Sequence, residues 1–69
     1  MTAKDFEELL ARDPFLSFRI FLSNGDQFDV TRRVSVAVGR NGLFMVLPDD
    51  RWKWIPIRHI ASVETLQAA

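Results

Sequence analysis

Two short stretches hold the polar groups best suited to chemistry in this 69-residue chain: Gly39-Arg40-Asn41-Gly42, a turn by composition, and Arg58-His59, set between two apolar runs. An Arg guanidinium grips phosphate, an Asn amide pairs with a base edge, and an imidazole stacks on an unpaired base or hydrogen-bonds to it. If the strands flanking the two turns are neighbours in a sheet, Arg40, Asn41, Arg58 and His59 come together as the equipment of single-stranded RNA recognition. The plainer reading is a pair of solvated corners, since Asn-Gly is a turn former in its own right. Trp52 and Trp54 lie two residues apart, on one face of any strand that contains them. Turned outward, they form an aromatic platform between Arg51 and Lys53 for base stacking or a protein interface. The commoner fate of such a pair is burial in the core or beneath a helix, and that is the expectation here.

Catalytic chemistry finds little support. The chain has one His, no Cys and no Gly-rich phosphate loop, so neither a nucleophile triad nor a nucleotide cradle can be assembled. Asp49 and Asp50 are adjacent carboxylates, but Pro48-Asp49-Asp50 is first of all a turn. The expectation is a binding module with no catalytic residue, no metal site and no cofactor.

Composition bounds the scaffold. A chain of 8.0 kDa with 48% hydrophobic residues forms one small domain, and without Cys it has no disulfide to staple it. Self-association as a homo-oligomer is one route to a larger core. Nine basic and nine acidic groups cancel, yet residues 14–69 carry seven basic groups against five acidic ones, and six of the seven are Arg. The longest apolar run, Leu43 to Leu47, is far short of a membrane span, and the first twelve residues are acidic and amphipathic rather than signal-like. The chain reads as cytoplasmic, with no membrane partner.

The elements that must position these groups follow from periodicity. Thr2 and Asp5 have capping-box spacing, and Phe6, Leu9 and Leu10 recur at helical spacing, which predicts a helix over 3–12 that Asp13-Pro14 ends. From Ser17 the period becomes two. Phe18, Ile20 and Leu22 form one face of a first strand, Asn24-Gly25 makes a tight hairpin with positive dihedrals, and Phe28 and Val30 begin a second strand. The same parity continues through Val34, Val36 and Val38, so the second strand runs from Asp26 to Val38, bending at Arg32-Arg33 to let both charges reach water. Leu43 to Leu47 reads as a third strand covered on both faces, Trp52 to Ile57 as a fourth, and Ile60 to Thr65 as a fifth, with Gln67 to Ala69 frayed. One helix and five short antiparallel strands over 17–66 close best as a small barrel, the helix over an open end.

This order of features resembles the Sm-like fold, including its bacterial Hfq branch. The residues that carry the likeness are the N-terminal helix, the first hairpin at Phe18-Arg19-Ile20-Phe21-Leu22-Ser23-Asn24-Gly25, the long bent second strand, and the last connection at Ile57-Arg58-His59. It spans nearly the whole chain. It implies a strongly bent five-stranded barrel that assembles into rings and binds single-stranded RNA, with Arg58 and His59 in the final loop and Arg40 and Asn41 in the other RNA-contacting loop. Ring closure pairs the fourth strand of one subunit with the fifth of the next, so it depends on Pro56: facing the neighbour it weakens or stops the pairing, facing inward it leaves the ring intact. The chain is also similar to small uncharacterised bacterial proteins with a helix, an Asn-Gly or Asp-Gly hairpin and a late Pro-Asp-Asp turn, a likeness that implies no activity. A protein-interaction module with no nucleic-acid binding is the alternative function.

Overall fold

The computed structural model describes residues 2–66, and the tail at 67–69 lies outside them. Its elements are α1 (Ala3–Ala11), β1 (Phe18–Leu22), β2 (Gln27–Val30), β3 (Val36–Val38), β4 (Gly42–Val46), β5 (Trp52–Pro56) and β6 (Ile60–Thr65), with single 3-10 turns at Arg33–Ser35 and Ile57–His59.

The capping box forms as expected. Thr2 Oγ1 accepts from the Asp5 amide at 3.3 Å, and Asp5 Oδ2 accepts from the Thr2 amide at 2.8 Å. The Thr2 amide, and after it the Thr2 hydroxyl donating to Asp5 Oδ2 at 3.1 Å, hold the Asp5 carboxyl below its ordinary pKa. The helix presents Phe6 to the core, where its ring lies 6.4 Å from that of Phe18. The first hairpin differs in detail from the expected two-residue turn. Its loop is Ser23–Gly25, closed by Leu22 N–H donating to Asp26 C=O at 2.9 Å, and only Gly25 takes a positive φ, of 94°. Asn24 contributes its side chain instead, its Oδ1 accepting from the Asp26 amide at 3.0 Å.

The predicted strand from Asp26 to Val38 is two strands, and this changes the architecture. The six strands form two three-stranded antiparallel sheets, in the orders β2-β1-β6 and β3-β4-β5, and the sheets do not close into a barrel. The reason is the Arg32-Arg33 pair. Instead of a bulge, the chain makes a 3-10 turn, with the Ser35 hydroxyl donating to Arg32 C=O at 2.7 Å. The turn breaks the parity, so Val34, expected inward, is 79% exposed. Arg32 and Arg33 are both exposed, as expected, and Arg33 also folds back on the helix. Its Nε donates to Leu10 C=O at 2.6 Å, its Nη2 donates to Arg12 C=O, and the guanidinium carbon lies 5.5 Å from the centre of the Phe15 ring. The last turn of α1 holds no basic residue of its own, so a side chain 21 to 23 positions away serves its orphan carbonyls.

One core joins both sheets and the helix: Phe6, Phe18, Ile20, Leu22, Val30, Val36, Leu43, Met45 and Ile55. In β4 the alternation is strict from Leu43 onward. Leu43 and Met45 are buried, whereas Phe44 and Val46 are exposed, so the strand expected to be covered on both faces is central but covered on one. The opposite face of β3-β4-β5 is open to solvent. Trp52 and Trp54 are on it, 65% and 47% exposed, and this overturns the expectation that the pair is buried.

The β4–β5 register fixes the direction of Pro56. Leu47 N–H donates to Arg51 C=O at 2.6 Å and Ile57 N–H donates to Asn41 C=O at 2.9 Å, so odd-numbered residues of β5 bond to β4. Trp52, Trp54 and Pro56 therefore turn their backbone groups to the free edge. The missing donor falls on that edge, where only the Trp52 and Trp54 amides remain to pair with another strand. Among the described residues, no helix is long and apolar enough to cross a membrane.

Candidate functional site

The two polar turns meet. Arg40 and Asn41 form the tip of the β3–β4 hairpin, closed by Gly39 N–H donating to Gly42 C=O at 2.8 Å. Asn41 C=O accepts from Ile57 N–H at 2.9 Å, which carries the hairpin ladder one step further and seats the tip against the Ile57–His59 turn. Arg40, Asn41 and Arg58 consequently line one open cleft of about 770 Å³. All three are exposed, and among the described residues neither Arg forms an ion pair. Among the described residues no carboxylate lines the cleft, so two guanidinium groups and one amide face the same space.

His59 is separated from this group. Its C=O accepts from the Ser23 amide at 2.8 Å and from the Ser23 hydroxyl at 3.0 Å, which anchors the turn to the first hairpin. The residue lines a second, smaller recess with Leu22, Ser23 and Asn24. Its Nε2 lies 3.5 Å from Arg58 Nε, at the outer limit of a hydrogen bond, so the imidazole flanks the cleft without entering it.

Three contributors to the cleft were not expected there. Thr2 and Ala3, at the start of α1, form one wall, and Trp54 forms another. The Trp54 indole lies against the two glycines of the hairpin tip. A Cβ on Gly42 would be 2.5 Å from Ile55 O and 2.7 Å from Trp54 Cζ2, whereas one on Gly39 would be 3.4 Å from Trp54 Cη2. Gly42 is thus required by close approach rather than by backbone conformation. Spacing alone identifies the Gly-Arg-Asn-Gly turn but not the ring that covers it.

Beyond Trp54, the open face of β3-β4-β5 bears Phe44 across the ladder from it, then Val46 and Trp52. Phe44 leans along the diagonal to stack on Trp52, with ring centres 5.0 Å apart and planes 17° apart. At the far end, Asp49 Oδ2 accepts from Arg51 Nε at 2.6 Å. Lys53 points to the other face, its ammonium 5.5 Å from the centre of the Phe28 ring, so the flanking cations expected at Arg51 and Lys53 are paired or turned away. The free positive charge sits instead at the Trp54 end, on Arg40 and Arg58.

No protein-family profile, curated protein or solved structure matches this chain.

Proposed function

We propose that this chain is a non-catalytic, Sm-like binding module of the cytoplasm that takes single-stranded RNA in the cleft of Arg40, Asn41 and Arg58, with His59 at its rim. The observation that carries the reading is the convergence of two guanidinium groups and an amide from separate turns on one open cleft, with no carboxylate paired to them among the described residues. Guanidinium groups hold phosphates and the amide reads a base edge, and both survive immersion in water because the ligand is itself charged and polar. The helix, the bend between β2 and β3, and the order β6-β1-β2 followed by β3-β4-β5 support the Sm-like part of the reading.

Homo-oligomerisation belongs to the same proposal, with β5 and β6, two of the four strands at sheet edges, as the pairing strands. Pro56 shortens the β5 edge, so pairing between copies rests on two amides and on side-chain packing. Light scattering with and without a short uridine-rich RNA at low salt reads the assembly directly. In the same buffer series the RNA affinity should fall with salt, with a slope of about −0.7 per phosphate engaged, and Arg58→Ala should flatten that slope by about one such unit. Wild-type affinity and slope in Arg58→Ala would refute the cleft as the RNA site.

The alternative, a protein-interaction module, draws on the exposure of Trp52 at 65% and of Trp54 at 47%. It predicts indifference to oligonucleotides and loss of a protein partner on substitution of either Trp.

A further inference from the structure

We infer that the open aromatic face of β3-β4-β5 is a base-stacking track for the strand that leaves the Arg40–Arg58 cleft, with Trp54 as the first station and the Phe44–Trp52 stack as the second. The inference rests on the nucleic-acid reading of the cleft and extends it from phosphate contact to contact with unpaired bases. Three observations carry it.

Trp54 belongs to both surfaces. It walls the cleft that holds the two free guanidinium groups, and it heads the row that continues to Phe44 and Trp52. A strand held by its phosphates at Arg40 and Arg58 therefore meets an indole at once.

Charge sets the direction. The end at Trp54 carries the unpaired Arg40 and Arg58, whereas the end at Trp52 is followed by Asp49 and Asp50, with Arg51 committed to Asp49. A polyanion is drawn to the first end and repelled past the second, which limits the track to a few nucleotides.

Area argues against a second copy of the chain as occupant. Taking about 150–250 Å² for a whole aromatic side chain, the exposed parts of Trp52, Trp54, Phe44 and Val46 come to on the order of 400 Å². A stable protein interface needs about 800 Å² from each partner, so this patch supplies roughly half. Stacked bases need only ring faces, and every base has one.

The test titrates short oligouridine, oligoadenosine and an abasic oligomer with the same number of phosphates against wild type, Trp52→Ala, Trp52→Phe and Arg58→Ala, read by anisotropy at low salt. The base-bearing oligomers should bind wild type more tightly than the abasic one. Trp52→Ala should weaken them about 5- to 150-fold while leaving the abasic oligomer unchanged, and Trp52→Phe should restore most of the loss. Arg58→Ala should weaken all three. Trp52 is mostly exposed, so its truncation removes no core packing, and an unchanged circular dichroism melt verifies the fold. Equal binding of abasic and base-bearing oligomers, with Trp52→Ala neutral, would overturn the track and leave the cleft standing. Binding of none of the three would overturn both. A wild-type oligomer that Trp52→Ala dissociates, with nucleic-acid affinity untouched, would reassign the face to a second copy of the chain.

Discussion

Replacing Gly42 with Ala tests whether the Trp54 wall is built on the hairpin backbone. The added methyl would lie 2.5 Å from Ile55 O and 2.7 and 3.0 Å from Trp54 Cζ2 and Cη2, where ordinary contact begins near 3.4 Å. Ile55 lies opposite Leu43 in the ladder and its side chain is buried, so its carbonyl cannot retreat without disturbing the sheet. The indole can swing away, but then it leaves the cleft. Overpacking of this kind costs about 1–3 kcal/mol. A domain of this size has a total stability of about 3–10 kcal/mol, and each kcal/mol moves its melting temperature by about 4–8 °C. Gly42→Ala should therefore melt at least about 4 °C below wild type by circular dichroism, with a shift in tryptophan emission as the indole becomes more exposed. Gly39→Ala is the matched control. Its methyl would meet Trp54 Cη2 at 3.4 Å and Gly42 O at 3.5 Å, both ordinary contacts, and the reduced freedom of its unfolded chain offsets much of any cost. It should melt within about 4 °C of wild type. Equal shifts for the two variants, or a wild-type melt and emission for Gly42→Ala, would refute the packing of Trp54 on Gly42.

Arg33→Ala should lower stability by about 1–2 kcal/mol and reduce helical ellipticity, because the carbonyls of Leu10 and Arg12 lose a charged donor, and urea denaturation followed at a helical wavelength checks both. Gly25→Ala should cost about 1 kcal/mol in the same assay, since its φ of 94° is unfavourable for any side chain with a Cβ. Acid should weaken the fold in a defined window. The Thr2 bonds lower the pKa of Asp5 and the Arg19 hydrogen bond lowers that of Asp29, so each contributes stability that is complete above the ordinary carboxylate range and is lost as pH falls through the depressed folded-state values. Urea midpoints should accordingly hold from neutral pH down to about 5 and then drop below about 4, and Asp29→Asn should flatten that drop.

Legibility divides along a physical line. The helix start, the first hairpin and the inward set of β1 were readable because they rest on contacts between near neighbours: Thr2 with Asp5, the Asn24-Gly25 turn, and Phe18, Ile20 and Leu22 on one face. Period two also separated Trp52 and Trp54 from Lys53 and Ile55, but a period names two faces without saying which one the rest of the chain covers. Among the described residues no second layer lies over the outer face of β3-β4-β5, and the Trp pair stays in solvent. The split of the predicted second strand was half readable. Arg32-Arg33 marked the place, while the 3-10 turn, the exposure of Val34 and the two-sheet result depend on where Arg33 finds its acceptors across the fold. Of the candidate site, the meeting of Arg40, Asn41 and Arg58 was foreseen from strand adjacency, and the part played by Thr2, Ala3 and Trp54 was not, because no sequence pattern links them to that turn.

The reach of Arg33 to the end of α1 has a consequence in time. A nine-residue helix does not persist alone, and this one is held by Phe6 in the core and by a guanidinium from the bend between β2 and β3. Its amides should open at a lower free energy, and exchange with solvent deuterium faster, than those of β1 and β4. The helix start is also a wall of the Arg40–Arg58 cleft. Each opening of the helix takes that wall away, so a ligand seated there should slow exchange along α1 as far as Leu10, well beyond the residues it touches, and hydrogen exchange in the helix becomes a remote gauge of occupancy.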